Sequence, residues 1–236
     1  MMQYNLYKKE KTNNMLTIWG RRNSLNVQKV MWAVGELELN YERHDVAGSF
    51  GQTDTDNYIQ MNPNRTVPTI GDDGFTLWES NACVRYLAAR YGNEPFYPDD
   101  LQTRARADQW MDWMMGGLLS TMMTIFWNQL RVPAEQCDQA AVDQAATKLG
   151  EIYGLLDQHL AQHLYVAGPD FTMGDIPVGS ATWRYYNLEI ERPSLPNVEA
   201  WYNRLGERAA YQQHVMFPFG STPEEWTRLE QEGAGK

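Results

Sequence analysis

Cysteine is nearly absent from this 236-residue chain, which has only Cys83 and Cys137. Two thiols make no disulfide framework, and their scarcity fits a reducing cytoplasm. Positive charge is also in short supply. Lys and Arg total 20 against 30 Asp and Glu, a net charge of −10 with an isoelectric point near 4.9. Such a balance argues against nucleic-acid binding, which needs a basic stripe to displace phosphate counterions. It still allows a local basic or helix-terminal pocket that takes a small anion. No apolar run approaches the length of a membrane-spanning helix. Residues 1–14 lack the apolar stretch of a signal peptide and are expected to be a disordered extension, with Met15 the functional start. Internal repeats and low-complexity tracts are missing too. The histidines (His44, His159, His163, His214) include one i,i+4 pair, His159 and His163, but no third metal ligand accompanies it, so a solvated face is expected.

What is present is a change of pattern part-way along. Leu16–Trp19 is a short β-type run ended by Gly20. Ser24 to Leu37 then has helical spacing, with Val27, Val30, Met31, Val34 and Leu37 on one face. Tyr41–Val46 reads as a second strand, and 56–60 as a short helix. A strand pair about Asp73-Gly74 follows, then a helix over Ser80–Tyr91. The order is βαβ, a short helix, then ββα. Pro95 to Asp100 has linker composition. Beyond it helical patterns dominate: 103–126, crowded with Met and Trp, then 136–164, 172–187, 198–207 and 223–231. The boundaries expected are 15–94 for the α/β domain, 95–102 for the linker, 103–220 for the helical domain and 221–236 for a tail. Thr172-Met173-Gly174-Asp175 has the form of a capping box, with the Thr172 hydroxyl expected on the Asp175 N–H and the carboxylate on the Thr172 N–H.

Asn62 to Ala82, N-P-N-R-T-V-P-T-I-G-D-D-G-F-T-L-W-E-S-N-A, carries the densest chemistry. Proline has no N–H to give a sheet, so Val67-Pro68 fits a strand's first position or an edge, and such a proline is a candidate cis peptide. Glu79-Ser80 opens a helix, where unpaired N–H groups and the dipole favour an anion. Together they form a socket for a small extended peptide bearing a carboxylate.

These features, in this order and spacing, resemble the cytosolic glutathione S-transferases over roughly Met15–Phe219. L-T-I-W-G-R-R-N-S-L-N-V-Q-K-V and W-E-S-N-A-C-V-R-Y-L are similar to bacterial members of theta-, beta- or nu-like character. The resemblance implies a thioredoxin-like N-terminal domain plus an all-α C-terminal domain, a homodimer, and glutathione as co-substrate. It implies that the backbone of Val67, presented by cis Pro68, pairs with the central cysteine of glutathione as an added strand would. Glu79 would then take the γ-glutamyl ammonium and Ser80 the adjacent carboxylate. Many relatives carry lysine just before Val-Pro. Here Thr66 stands in that place, so Arg65 is the candidate for the glycyl carboxylate.

The chain lacks the N-terminal tyrosine at which alpha, mu and pi classes hold the thiol. Ser24 stands where theta- and delta-like relatives have their activating serine, and Asn26 stands two residues on, where those relatives have proline. Nu-like relatives have threonine and asparagine at these places. Ser24 and Asn26 are both candidates to hold the thiolate, with Asn23 third; Ser24 reads equally as a helix N-cap. The expected reaction is thiolate attack on a small electrophile lying against a Met- and Trp-rich helix. Most of Trp110, Trp113, Met114, Met115, Met122, Met123, Phe126 and Trp127 are nonetheless expected in the core or an interface. Two alternatives stay open: glutathione-dependent disulfide reduction or peroxidase activity, and a non-catalytic binding protein.

Overall fold

The computed structural model describes residues 15–235, so the expected extension, residues 1–14, lies outside the described residues. Alternation in Leu-Thr-Ile-Trp turns Leu16 and Ile18 inward, and β1 (Leu16–Trp19) takes an inner place in a four-stranded sheet. The sheet order is β2 (Tyr41–His44), β1, β3 (Thr69–Asp72), β4 (Phe75–Trp78); β1 and β2 are parallel and the other pairs antiparallel. Helix α1 (Leu25–Glu36) connects β1 to β2, and α2 (Asp56–Met61) precedes β3. Asp73 and Gly74, both at positive φ (54° and 81°), make the two-residue β3–β4 turn.

Val67-Pro68 is cis but lies just before β3 rather than within an edge strand. β3 is flanked on both sides, so pairing begins only after the residue that has no N–H to give. Helix α3 (Ser80–Tyr91) packs beside α1 over a core of Ile18, Val27, Val30, Val34, Ile70 and Leu87. Asp72, buried in β3, anchors it by accepting from Tyr86 at 2.7 Å and Tyr91 at 2.8 Å.

The remainder is helical: α4 (Leu101–Trp113), α5 (Leu119–Leu130), α6 (Gln139–Leu160), α7 (Asp175–Asn187), α8 (Pro196–Gly206), α9 (Ala209–His214) and α10 (Pro223–Glu232). The Met- and Trp-rich segment is thus α4 and α5 joined by a π-helical stretch, Met114–Leu118, which contains Gly116-Gly117. Met114 and Met122 are fully buried and Phe126 nearly so, whereas Trp127 is 56% exposed.

The capping box differs in one bond. The Asp175 carboxylate takes the Thr172 N–H at 2.9 Å as expected, but the Thr172 hydroxyl takes the N–H of Gly174, at 3.2 Å. Asp175 N–H is held instead by the Thr172 carbonyl at 3.0 Å, a tighter turn that makes Gly174 the residue before α7. Residues 221–235, read as a tail, contain α10, whose Trp226 is buried edge-on against Phe126 of α5.

The sheet domain and the helical domain share a packed boundary. Trp32 of α1 is buried in the helical core, and its Nε1 donates to Glu36 at 2.8 Å. Glu36 is in turn paired with Arg208 at 2.6 Å. Asn81 of α3 donates to the Met111 carbonyl at 2.8 Å. These contacts fix the face along which the candidate site runs.

Candidate active site

A cleft of about 410 Å³ lies between the β1–α1 turn, the 65–67 segment and helices α5, α7 and α10. It is lined by Ser24 and Asn26, by Arg65 and Val67, and by the apolar Leu119, Met123 and Phe126. A larger groove of about 1000 Å³ beside α6 and residues 189–193 holds none of the sequence-predicted site residues. Neither cysteine lines the cleft: Cys83 is fully buried on the inner face of α3, where loss of water pushes its thiol up to about 12.

The loop before β3 is held from below. The Thr66 carbonyl accepts from the Tyr58 hydroxyl at 2.6 Å and from Asn62 Nδ2 at 2.9 Å. The N–H and C=O of Val67 make no hydrogen bond among the described residues. A free donor and acceptor on one half-buried residue is the unmade edge that an extended peptide completes. Arg65, at φ 55°, is exposed at the rim.

Glu79 sits at φ 70° where the chain turns from β4 into α3, and its exposed side chain makes no cap. A left-handed non-glycine residue is a costly geometry that persists where its surroundings hold it, most often at functional positions. Ser80, the first residue of α3, is buried, and no acidic side chain occupies that first turn. The helix end is therefore open to an anion.

Ser24 precedes α1, yet its hydroxyl caps no backbone N–H, and no acidic side chain lies in the first turn. Asn26, in that first turn, is fixed differently. Its Oδ1 accepts from Lys29 Nζ at 2.9 Å and from the Ser80 hydroxyl at 3.2 Å. An ammonium only donates, so the oxygen of the amide must face Lys29 and the Nδ2 donors must face away from it. Two donors, the Ser24 hydroxyl and Asn26 Nδ2, thus have no partner among the described residues at the positive end of α1. Asn23 is buried, and its carbonyl accepts from Arg184 at 2.6 Å; it is not among the residues lining the cleft.

Sequence reasoning missed Lys29. It is fully buried, bonded to Asn26 and within 3.5 Å of both the Ser80 hydroxyl and Met115 Sδ. Burial, with repulsion from Arg184 next, lowers its ammonium to about 7, while Glu79 opposes the shift. The other missed group is a set of arginines. Arg21, Arg131 and Arg184 all line the cleft. Burial, then repulsion from Arg21 and Arg131, brings Arg184 down to about 9. Burial lowers Arg131 as well, with Arg21 adding to the effect, and lowers Arg21 against the pull of Glu230.

Comparison with known proteins identifies the family. The family model for the glutathione S-transferase N-terminal domain matches residues 14–89, and that for the C-terminal domain matches residues 111–209. The chain is 39% identical over 206 residues to glutathione S-transferase GstB of Escherichia coli K12, covering 86% of this chain and 99% of that one. It is 32% identical to glutathione S-transferase D7 of Drosophila melanogaster, covering 74% of this chain and 75% of that one. A crystal structure of the theta-class glutathione S-transferase of Xanthomonas axonopodis pv. citri with glutathione bound superposes with a TM-score of 0.84. That protein is 44% identical, and the match covers 88% of this chain and all of that one. The chain belongs to the glutathione S-transferase family.

Proposed function

We propose that this transferase binds glutathione along residues 65–67 and the start of α3, and that Ser24 and Asn26 hold its sulfur as the thiolate. The observation that carries this reading is the orientation of Asn26. Lys29 and Ser80 occupy its Oδ1, so its amide N–H groups, like the Ser24 hydroxyl that lines the same cleft, have no partner among the described residues. Val67 supplies the strand-like pairing, Pro68 places it, and Arg65 takes the glycyl carboxylate. The backbone N–H of Ser80 and the other first-turn N–H groups of α3 take the γ-glutamyl carboxylate, while the Ser80 hydroxyl stays on Asn26 with Lys29 3.5 Å from it, and Glu79 takes the ammonium.

Ionisation of a thiol with a free pKa of ~8.5 becomes favourable at neutral pH when donors prefer the anion, at about 1.4 kcal/mol per unit. The Ser24 hydroxyl, the Asn26 amide and the first turn of α1 supply that preference without rearrangement. The thiolate then attacks the electrophilic carbon: a carbon–sulfur bond forms, and a leaving group departs with its electron pair. Leu119, Met123 and Phe126 form the apolar wall on which the electrophile rests. The reading also includes the 95–102 linker as the domain boundary, a homodimer, and residence in the cytoplasm, the last resting on the family resemblance and two free cysteines.

Steady-state kinetics of single variants tests the assignment. Asn26→Ala and Ser24→Ala should each lower kcat by roughly 10- to 1000-fold, the range for losing one donor to a developing anion, while KM for glutathione changes little. A variant that raises KM with kcat intact would mark its residue as a binding group instead. Unchanged kinetics in both would place thiolate stabilisation elsewhere.

A further inference from the structure

The cleft is crowded with cations that have few partners. Arg21, Arg131 and Arg184 line it, and the one ion pair that any of them makes among the described residues is that of Arg21 with Glu230 of α10, at 2.8 Å. Arg184 is only 3% exposed. One of its nitrogens donates to the Asn23 carbonyl at 2.6 Å, but its Nε is buried with no hydrogen-bond partner among the described residues. Arg131 makes no ion pair among the described residues; its guanidinium lies over the Trp226 ring at 4.3 Å. Buried guanidinium groups with unmade bonds are unfavourable, and an anion relieves them by pairing bidentately. Such a concentration stands out in a chain of net charge −10.

The elements that carry these groups say what they would bind. The groups assigned to the carboxylates of glutathione, Ser80 and Arg65, belong to the sheet domain. Arg131 and Arg184 come from the end of α5 and from α7, beside the apolar Leu119, Met123, Phe126 and Trp226. A compact apolar body ending in a negative charge fits this composition.

We propose that the cleft selects electrophiles carrying a carboxylate or a similar small anionic group, held by Arg184 and Arg131 while the glutathione thiolate attacks the neighbouring carbon. The proposal rests on the reading of this cleft as the thiolate site. The anionic group is a handle and takes no part in bonding changes: sulfur bonds to carbon, a halide or comparable group leaves with the bond pair, and the thiol proton passes to solvent.

Binding of product-like ligands tests this without requiring turnover. Titration calorimetry compares glutathione, S-butylglutathione and S-(3-carboxypropyl)glutathione, the last two matched in length and differing in a terminal charge. The carboxylate should bind about 10-fold more tightly than the butyl compound at low salt, and the gap should shrink as salt rises. Arg131→Gln should remove most of the preference while leaving affinity for glutathione itself within about twofold, since its side chain holds no other part of the fold by hydrogen bond. Arg184→Met should do the same, and if it fails to fold, the Arg131 variant and the salt dependence decide. Equal affinity for the matched pair overturns the proposal. So does an Arg131 variant that weakens plain glutathione as much as the carboxypropyl derivative, because the cluster would then serve the carboxylates of glutathione. Failure of wild-type protein to bind glutathione overturns the underlying site reading instead.

Discussion

A lysine enclosed among Asn26, Ser80 and Met115 has lost the water that normally stabilises its charge. With the pKa of Lys29 lowered from 10.5 to about 7, the folded state disfavours the proton that the unfolded chain keeps. The stability cost is full below pH 7 and fades as pH rises from 7 toward 10.5. Lys29→Met should therefore be more stable than wild type at pH 6, by an amount that shrinks or reverses by pH 10. Urea unfolding at the two pH values checks the sign; a stability difference independent of pH would show that Lys29 is not held as described. The same variant releases the Asn26 amide, so its catalysis should fall even where its stability rises. Nothing in the sequence marked Lys29, because a lysine on an amphipathic helix normally reads as a solvent-facing residue. Only the closure of α3 and the 114–118 stretch over that face of α1 buries it. Arg184, inside a run of aromatic residues, was equally silent. Ser24, Asn26, Val67 and Ser80 could be picked out as candidates because each sits at a turn or a helix start, where local backbone geometry leaves polar groups unpaired.

Most elements were readable from periodicity: α3 spans Ser80–Tyr91 as expected, and α1 lies within the expected 24–37 window. The break in the Met- and Trp-rich segment was not readable. A π-helical stretch holds the same apolar composition as the helices it joins; beyond it Leu119, Met123 and Phe126 line the cleft while Trp127 faces out. Helix α9 also escaped notice, being six residues long. It packs closely on α1: a Cβ added at Gly35 would lie 2.8 Å from Ala210 and 2.9 Å from His214. His214 is depressed to about 4, first by burial and then by Arg22 and Arg43. A lowered folded pKa means that the stability from this group is complete above the unfolded value of 6.5 and is lost as pH falls from there to about 4. Asp175 acts oppositely. Burial raises it to about 6, so stability from it grows as pH falls from about 6 toward 3.8. Comparing His214→Gln with wild type cancels the Asp175 contribution. Across pH 7 to 4.5 the wild type should lose on the order of 2 kcal/mol more than the variant, a figure trimmed for partial solvent access. Parallel stability curves would contradict this account of the α1–α9 contact.

At the scale of the molecule, the site exists because two differently built domains meet along α1. The sheet domain brings Val67, Ser80, Arg21 and the open helix starts; the helical domain brings the apolar wall, Arg131 and Arg184. A Cβ on Gly179 of α7 would stand 2.8 Å from Trp32, so the approach of the domains depends on that residue having no side chain. Net charge pointed away from nucleic acid but hid the local excess of arginine, which arises only when residues 21, 131 and 184 converge through folding. The central proposal is that the Ser24 hydroxyl and the Asn26 amide ionise the thiol of glutathione, and ultraviolet absorbance of the thiolate tests it most directly. With saturating wild-type protein, bound glutathione should titrate at least about one unit below its free value of ~8.5, and Asn26→Ala and Ser24→Ala should each return the midpoint toward that value. A bound thiol that titrates at its free value, with glutathione binding verified in the same sample, would contradict the account.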